Sequence, residues 1–209
     1  MAAGEAAGGF NGANRLAGNA LSQVFALGLK AGRTVSRQLK QADLIEVKSK
    51  DVDEAKRRWQ SLLKSGEGVT PSTLRKKLQR MMSENAGLVR SKASLENAIT
   101  EIHGFREEIN HITLATTSPR RNYQWLEAIS LVNMLDVAEA IATAALRRNE
   151  SRGNQYRLDY PELDNDKWLL NIVVRREESG FKTDCVPLTI TKLSLEEMKR
   201  LRKPPALRE

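Results

Sequence analysis

Residues 129–146 read ISLVNMLDVAEAIATAAL, and this stretch decides the fold. Leu131, Leu135, Ala138, Ala142 and Ala145 recur at alternating steps of four and three, which places them on one face of an α-helix. The alanines on that stripe permit a close approach of helix axes. Ile129, Val132, Met134, Val137 and Ile141 extend apolar surface beyond the stripe, so the segment is expected to lie between neighbours. Those neighbours stand upstream. Leu74, Leu78, Met81 and Leu88 form one stripe, and Leu95, Ile99, Ile102, Ile109 and Ile112 form another. Ser118-Pro119 separates the second pattern from the third. The reading is a spectrin-repeat-like three-helix bundle with short connections over residues 71–160.

Working outward, the period changes after residue 160. Trp168–Arg175 and Cys185–Leu193 are rich in Ile, Val and Thr, with EESG between them, which predicts a β-hairpin in a segment spanning residues 161–209. Ser194 and Glu197 make a capping box for a last short helix, halted by Pro204 and Pro205. Upstream, residues 43–70 form a connector. Asp51 and Glu54 resemble a capping box opening a short helix through Leu63, and Gly66 and Gly68 break it. Thr70 and Pro71 suit the N-cap and first position of the next helix. Residues 1–42 begin with a glycine-rich loop. They continue as a helix from about Gly18 to Lys40, with Leu21, Val24, Phe25, Leu27 and Leu29 on its apolar side. The fold class is mainly α.

Composition narrows the function. The 209 residues carry 34 Lys and Arg against 26 Asp and Glu, a net charge of +8. The bases mostly alternate with acids, as in DVDEAKRRW and SLEEMKRLRK, so a solvated or acid-docking surface is expected rather than nucleic-acid binding. Only 5% of the residues are aromatic, too few for a base-stacking platform. No apolar run approaches the roughly 20 residues that cross a bilayer, so membrane association is expected only through partners. The stretch MAAGEAAGGFNGANR has neither the basic start nor the apolar middle of a signal peptide. A lone cysteine, Cys185, fits a reducing, cytoplasmic location and excludes a cysteine-ligated metal centre built from this chain. His103 and His111 lie two helical turns apart, about 12 Å along an axis, and cannot share a metal. No phosphate-binding loop, zinc motif or nucleophile–base pair is present in these residues.

Three segments carry a resemblance. Gly4–Leu21, GEAAGGFNGANRLAGNAL, is similar to the stretch that closes the FAD domain in the succinate dehydrogenase/fumarate reductase flavoprotein family, commonly G-E-x-A-G-G-x-H-G-A-N-R-L-G-G-N-S-L. Asn133–Ala140, then Glu150-Ser151-Arg152-Gly153 and Arg157-Leu158-Asp159-Tyr160-Pro161-Glu162, resemble that family's helical-domain signature. Pro204-Pro205-Ala206-Leu207-Arg208 is similar to the family's tail. The matches keep the family's order and cover nearly the whole chain. They imply the C-terminal portion of such a flavoprotein, with residues 1–42 the edge of its FAD-binding domain.

The resemblance implies roles. Glu5 resembles the carboxylate that bonds an FAD hydroxyl. Asn14, Gly18, Asn19, Ala20 and Leu21 fall where the family binds the flavin. Arg15 resembles the arginine that grips a substrate carboxylate, a task suited to a planar fork that stays charged. Arg152 and Arg157 are expected to form ion pairs that dock the helical domain on the FAD domain. Asn11 stands where histidine is common, Ala17 and Ala20 replace glycine and serine, and Asn154-Gln155 replace Ala-His. The G-x-G-x-x-G turn that receives the FAD pyrophosphate is not in these residues. Neither is a counterpart of the family's capping domain, which supplies the proton-donating arginine and the histidine for covalent flavin attachment.

The implied parent is an FAD oxidoreductase of electron transport that interconverts succinate and fumarate by hydride transfer at flavin N5. Electrons pass on to an iron–sulfur subunit. The expected location is the cytoplasm or, through partners, the inner face of the cell membrane. The chain alone is expected to be inactive, to bind no FAD and to bury its uncovered apolar faces by self-association. L-Aspartate oxidase, with a similar loop and D-Y-P-E element, is the alternative enzyme. Adenylylsulfate reductase matches the loop less well. A non-catalytic helical interaction module is the alternative of another class.

Overall fold

The computed structural model describes residues 2–4, 7–9, 11–13, 18–40, 46–178, 180–188, 194 and 196–197. The expected class is observed. The helices are α1 (Asn19–Gln38), α2 (Ser49–Gln60), α3 (Pro71–Asn85), α4 (Lys92–Glu108) and α5 (Tyr123–Arg147). Among the described residues four short strands accompany them: β1 (Val89–Arg90), β2 (Tyr156–Arg157), β3 (Leu170–Glu177) and β4 (Gly180–Pro187). The chain forms two compact units, Met1–Gln79 with Gly104–Leu135, and Arg80–His103 with Asp136–Glu209. Helices α3, α4 and α5 each supply residues to both.

The first unit buries Leu74, Leu78, Phe105, Ile112, Leu114, Ala128, Leu131 and Leu135. Each fully buried leucine of this set contributes about 1.5–3 kcal/mol relative to exposure. Thr70 caps α3 as expected, its hydroxyl accepting from the Thr73 amide at 3.3 Å. Asn122 caps α5, its Oδ1 accepting from the Trp125 amide at 3.0 Å. Its amide nitrogen donates to the carbonyls of Thr116 and Ser118, so the segment before α5 is tied to the cap. Gly68 is fixed by close approach, since a Cβ there would meet the His111 carbonyl oxygen at 2.4 Å. That approach lets Val69 bridge Ile112 in parallel. The Trp125 indole donates to the Trp59 carbonyl at 2.9 Å, and both tryptophans line an open groove of about 500 Å³ with Val47, Val52 and Ala55. No residue of α1 or α2 is buried.

The second unit buries Met81, Leu95, Ala98, Ile102, Ala138, Ala142 and Ala145. All five residues of the Leu131 to Ala145 stripe are therefore interior, in one unit or the other. Strands β3 and β4 form an antiparallel hairpin in the register Leu170↔Pro187 to Glu177↔Gly180. Gly180 has φ 122°, the backbone that closes so tight a turn. Strands β1 and β2 pair in parallel, Val89 with Tyr156 and Arg90 with Arg157.

Several expectations are corrected. Leu88 lies beyond the end of α3 and is 68% exposed. Helix α4 gives way to a 3-10 turn at Ile109–His111, so Ile109 and Ile112 are not on its stripe. Helix α2 begins at Ser49 without a side-chain cap, and Asp51 sits inside its first turn. The second hairpin strand starts at Gly180 rather than Cys185, because Phe181 to Asp184 join the ladder; its expected end at residues 189–193 lies outside the described residues. Val137 and Ile141 of α5 are exposed while Ile129, Val132 and Met134 are half-buried, so its second apolar face is only partly covered. Helix α5 is also long and apolar enough to cross a membrane, with an 18-residue window of mean hydropathy 1.5. Asp136 and Glu139 interrupt it, engaging Arg176 and His103, and its leucine–alanine stripe is interior. The Ser194–Glu197 capping box forms, the Ser194 amide donating to Glu197 at 2.7 Å. The proline stop beyond it lies outside the described residues.

Candidate functional site

Two places gather the sequence-predicted site residues. The first is the glycine-rich loop and the start of α1. Gly4, Gly9, Gly12 and Gly18 all have φ between 59° and 88°, the left-handed region that a side chain disfavours. Gly18 turns the chain into α1, where the Leu21 amide donates to the Gly18 carbonyl at 3.3 Å. No side chain caps this helix, and its first turn has no acidic residue. Asn19 and Leu21 are exposed and Ala20 is half-buried. Among the described residues no side chain engages the N–H groups of this first turn, which carries the positive end of the helix dipole. A Cβ placed on Gly8, Gly9, Gly12 or Gly18 would meet nothing within 4 Å. Glu5, Asn14 and Arg15 lie outside the described residues. A flavin held mainly by backbone groups is compatible with this helix start, whose first turn has no carboxylate to repel negative charge.

The second place is the segment after α5, in the second unit. Arg157 is only 2% exposed. Its Nη1 donates to the carbonyls of Ala145, Leu146 and Arg148 at 3.0, 3.3 and 2.7 Å. These oxygens lie at the α5 C-terminus, where carbonyls lack following helical donors and a cation meets the negative end of the dipole; the Ala145 oxygen also accepts from the Arg148 amide at 3.3 Å. Its other edge grips Asp159 in two places, Nε to Oδ1 at 2.8 Å and Nη2 to Oδ2 at 2.7 Å. This fork holds the Asp159 carboxyl down at about 2 against an ordinary 3.8, helped by the Lys92 amide.

Glu150 is the other anchor. Its fully buried carboxylate accepts from Arg148 at 2.5 Å and from Arg152 Nε and Nη2 at 2.6 and 2.9 Å. It also accepts from the Asp164 amide at 2.9 Å. Arg152 reaches on to the Asn165 side chain at 3.0 Å. Arg148 donates to the Trp168 and Leu170 carbonyls, which ties the start of β3 to the end of α5. Ser151 joins the two anchors: its hydroxyl accepts from the Arg157 amide at 2.9 Å and donates to the Tyr160 carbonyl at 2.8 Å. Arg152 and Arg157 are thus both engaged within their own unit. Sequence reasoning missed the organising part of Glu150 and Asp159, although both lie inside the quoted signature. Arg–x–Glu–x–Arg spacing was the available signal.

His103 Nε2 lies 3.1 Å from Glu139. No cluster of three or more His, Cys, Asp or Glu suited to a metal occurs among the described residues.

Comparison with known proteins gives a consistent picture. Residues 75–203 match the family model described as fumarate reductase flavoprotein C-term. A fumarate reductase (CoM/CoB) polypeptide from Methanothermobacter marburgensis is 34% identical over 85% of this chain, and the match covers 32% of that protein. The fumarate reductase flavoprotein subunit of Haemophilus influenzae is 33% identical over 90% of the chain and is covered over 32% of its length. The chain therefore spans about a third of the length of the curated relatives it matches. Among solved structures, a chain of the Mycobacterium smegmatis Sdh1 complex aligns with TM-score 0.84 and 29% identity, covering 97% of this chain and 36% of that one.

Proposed function

The chain belongs to the fumarate reductase/succinate dehydrogenase flavoprotein family, and we propose that it is the C-terminal part of an FAD-dependent oxidoreductase that interconverts succinate and fumarate. The observation that carries this reading beyond family membership is the bare, glycine-turned N-terminus of α1. Gly18 sets the turn, and among the described residues no cap or acid competes for the N–H groups of the first turn. Bound there, FAD supplies a two-electron acceptor and donor at its N5. The chain's own residues hold it. Backbone groups from Gly18 to Leu21 receive the ring, and the helix dipole favours negative charge on it. By the family resemblance, Glu5 would accept a hydrogen bond from an FAD hydroxyl and Asn14 would contribute to holding the flavin. Arg15 binds a substrate carboxylate through its two-pronged guanidinium and so fixes the carbon skeleton for reaction.

The remaining parts of the reading follow from the family. Electrons leave toward an iron–sulfur subunit, and the enzyme lies in the cytoplasm or at the inner face of the membrane through its partners. Arg152 and Arg157 stiffen the surface on which the helical part meets the flavin part. The exposed apolar side of α1, which includes Leu21, Phe25 and Leu29, is covered by the rest of the parent protein, and by a second copy when the chain is alone.

The test is Arg15→Lys in the longer parent protein. Lysine keeps the charge and loses the fork, so turnover of succinate or fumarate falls by about 100-fold while the flavin absorption band is retained. Turnover near the parental rate would move the carboxylate clamp elsewhere. In parallel, the purified 209-residue chain is expected to show no stoichiometric flavin band; such a band would overturn the dependence on the rest of the parent.

A further inference from the structure

Arg90 is buried, with 8% of its surface exposed. It lies on the β1–β2 ribbon directly opposite Arg157. Its Nε is shielded from solvent and bonds to nothing. A buried guanidinium nitrogen left without an acceptor is destabilising, because nothing offsets its desolvation. Desolvation and the Arg157 charge both loosen its hold on its proton, and no carboxylate among the described residues offsets them. The fold nevertheless keeps an arginine here.

The next residues begin α4. Ser91 caps this 17-residue helix, its hydroxyl accepting from the Ser94 amide at 3.2 Å. The Lys92 amide already donates to a carboxylate, Asp159 Oδ2, at 3.0 Å. Asp159 is fully committed to that amide and to Arg157, and the Lys92 ammonium faces Glu96 at 3.8 Å. One carboxylate is thus seated at this helix end, while the cation one residue before the cap has none. Val89 and Tyr156 are exposed on the face of the ribbon opposite Arg90 and Arg157, and the next residue, Leu158, is exposed as well.

We propose that Arg90, beside the N-terminus of α4, is a binding site for a carboxylate that comes from outside the described residues. The two sources of that chemistry are an acidic side chain on a docked polypeptide and a free organic acid. The proposal stands apart from the flavin reading and survives its failure.

The experiment uses the full 209-residue chain, with sodium acetate as the probe and sodium chloride at matched ionic strength as the control. Acetate raises the melting midpoint by about 3 °C more than chloride at saturation. Arg90→Met, an apolar replacement of similar length, removes that response and melts no lower than the unsubstituted chain in chloride, since it deletes an unpaired buried charge. Arg90→Lys keeps a charge and responds partially, and circular dichroism confirms that both variants are folded. An acetate response that persists in Arg90→Met marks an adventitious ion only and overturns the site. So does a midpoint that falls in Arg90→Met with no acetate response in the unsubstituted chain, which marks a packing role. In the longer parent protein, Arg90→Met lowers the midpoint without acetate when a side-chain carboxylate is the occupant. It lowers the midpoint only with acetate present when the occupant is a free acid.

Discussion

Helix α1 and the segment after α5 use similar amounts of chain in opposite ways. The 20 residues of α1 are amphipathic, yet none is buried, and Phe25 stands 74% exposed. From Arg148 to Leu170 the chain has little regular structure, yet Glu150 and Arg157 are interior and each makes four or more polar contacts. Regular structure and self-sufficiency are therefore separate properties. A helix satisfies its own backbone but needs a partner for its apolar side. An irregular segment must satisfy its backbone through side chains, and this one does so by committing ionic groups to carbonyls and amides. The first region leaves its apolar side open among the described residues; the second closes on itself.

The largest test of that contrast is Glu150→Ala. It leaves the Arg148 and Arg152 guanidiniums, both largely buried, without their shared carboxylate. Breaking a buried pair in this way costs about 3–5 kcal/mol. Urea unfolding of the variant checks it. A loss below about 1 kcal/mol would make the network ornamental and erase the difference from α1.

A smaller effect separates apolar positions. Leu131→Ala removes a side chain with no exposure from the first unit, and costs about 2–5 kcal/mol through lost transfer energy and the cavity left behind. Phe25→Ala removes more carbon from α1 and is expected to cost within about 0.5 kcal/mol, because the ring already lies in water. Equal losses in the same urea series would show that α1 finds a seat within the 209-residue chain itself.

The helical class was legible because Leu and Ala at alternating steps admit one helical face, and every residue of the Leu131 to Ala145 stripe is interior. Leu88 was misplaced because apolar spacing carries no stop signal. Gly87 supplied one: a Cβ there would meet the Ser83 carbonyl at 2.5 Å, so the chain turns back on α3 at that point. The β1–β2 ribbon is two residues long, too short for any period, and Arg90 is hidden with it. Phe181 to Asp184 fall outside the expected strand Cys185–Leu193, although pairing with Val173 to Arg176 makes them strand. The arginines after α5 were legible as a signature and not as a network, because many of their partners are carbonyls that leave no mark in a sequence.

The smallest effect distinguishes the two anchors of the network by pH. Asp159 lies at the surface end of the Arg157 fork, and Arg157, with the Lys92 amide, depresses its carboxyl from 3.8 to about 2. A depressed carboxyl binds its proton more weakly in the folded chain than in the unfolded one. Its contribution is therefore complete above the unfolded value near 4 and is lost as pH falls toward 2. Asp159→Asn removes that titration while keeping an acceptor for Arg157. Stability measured by urea unfolding between about pH 5 and about pH 2 should decline less steeply in the variant than in the unsubstituted chain. The difference is small because the group is exposed to solvent, which screens the pair. Parallel pH profiles would mean that Arg157 draws its hold on this corner from the α5 carbonyls alone, and that the carboxylate contributes only shape.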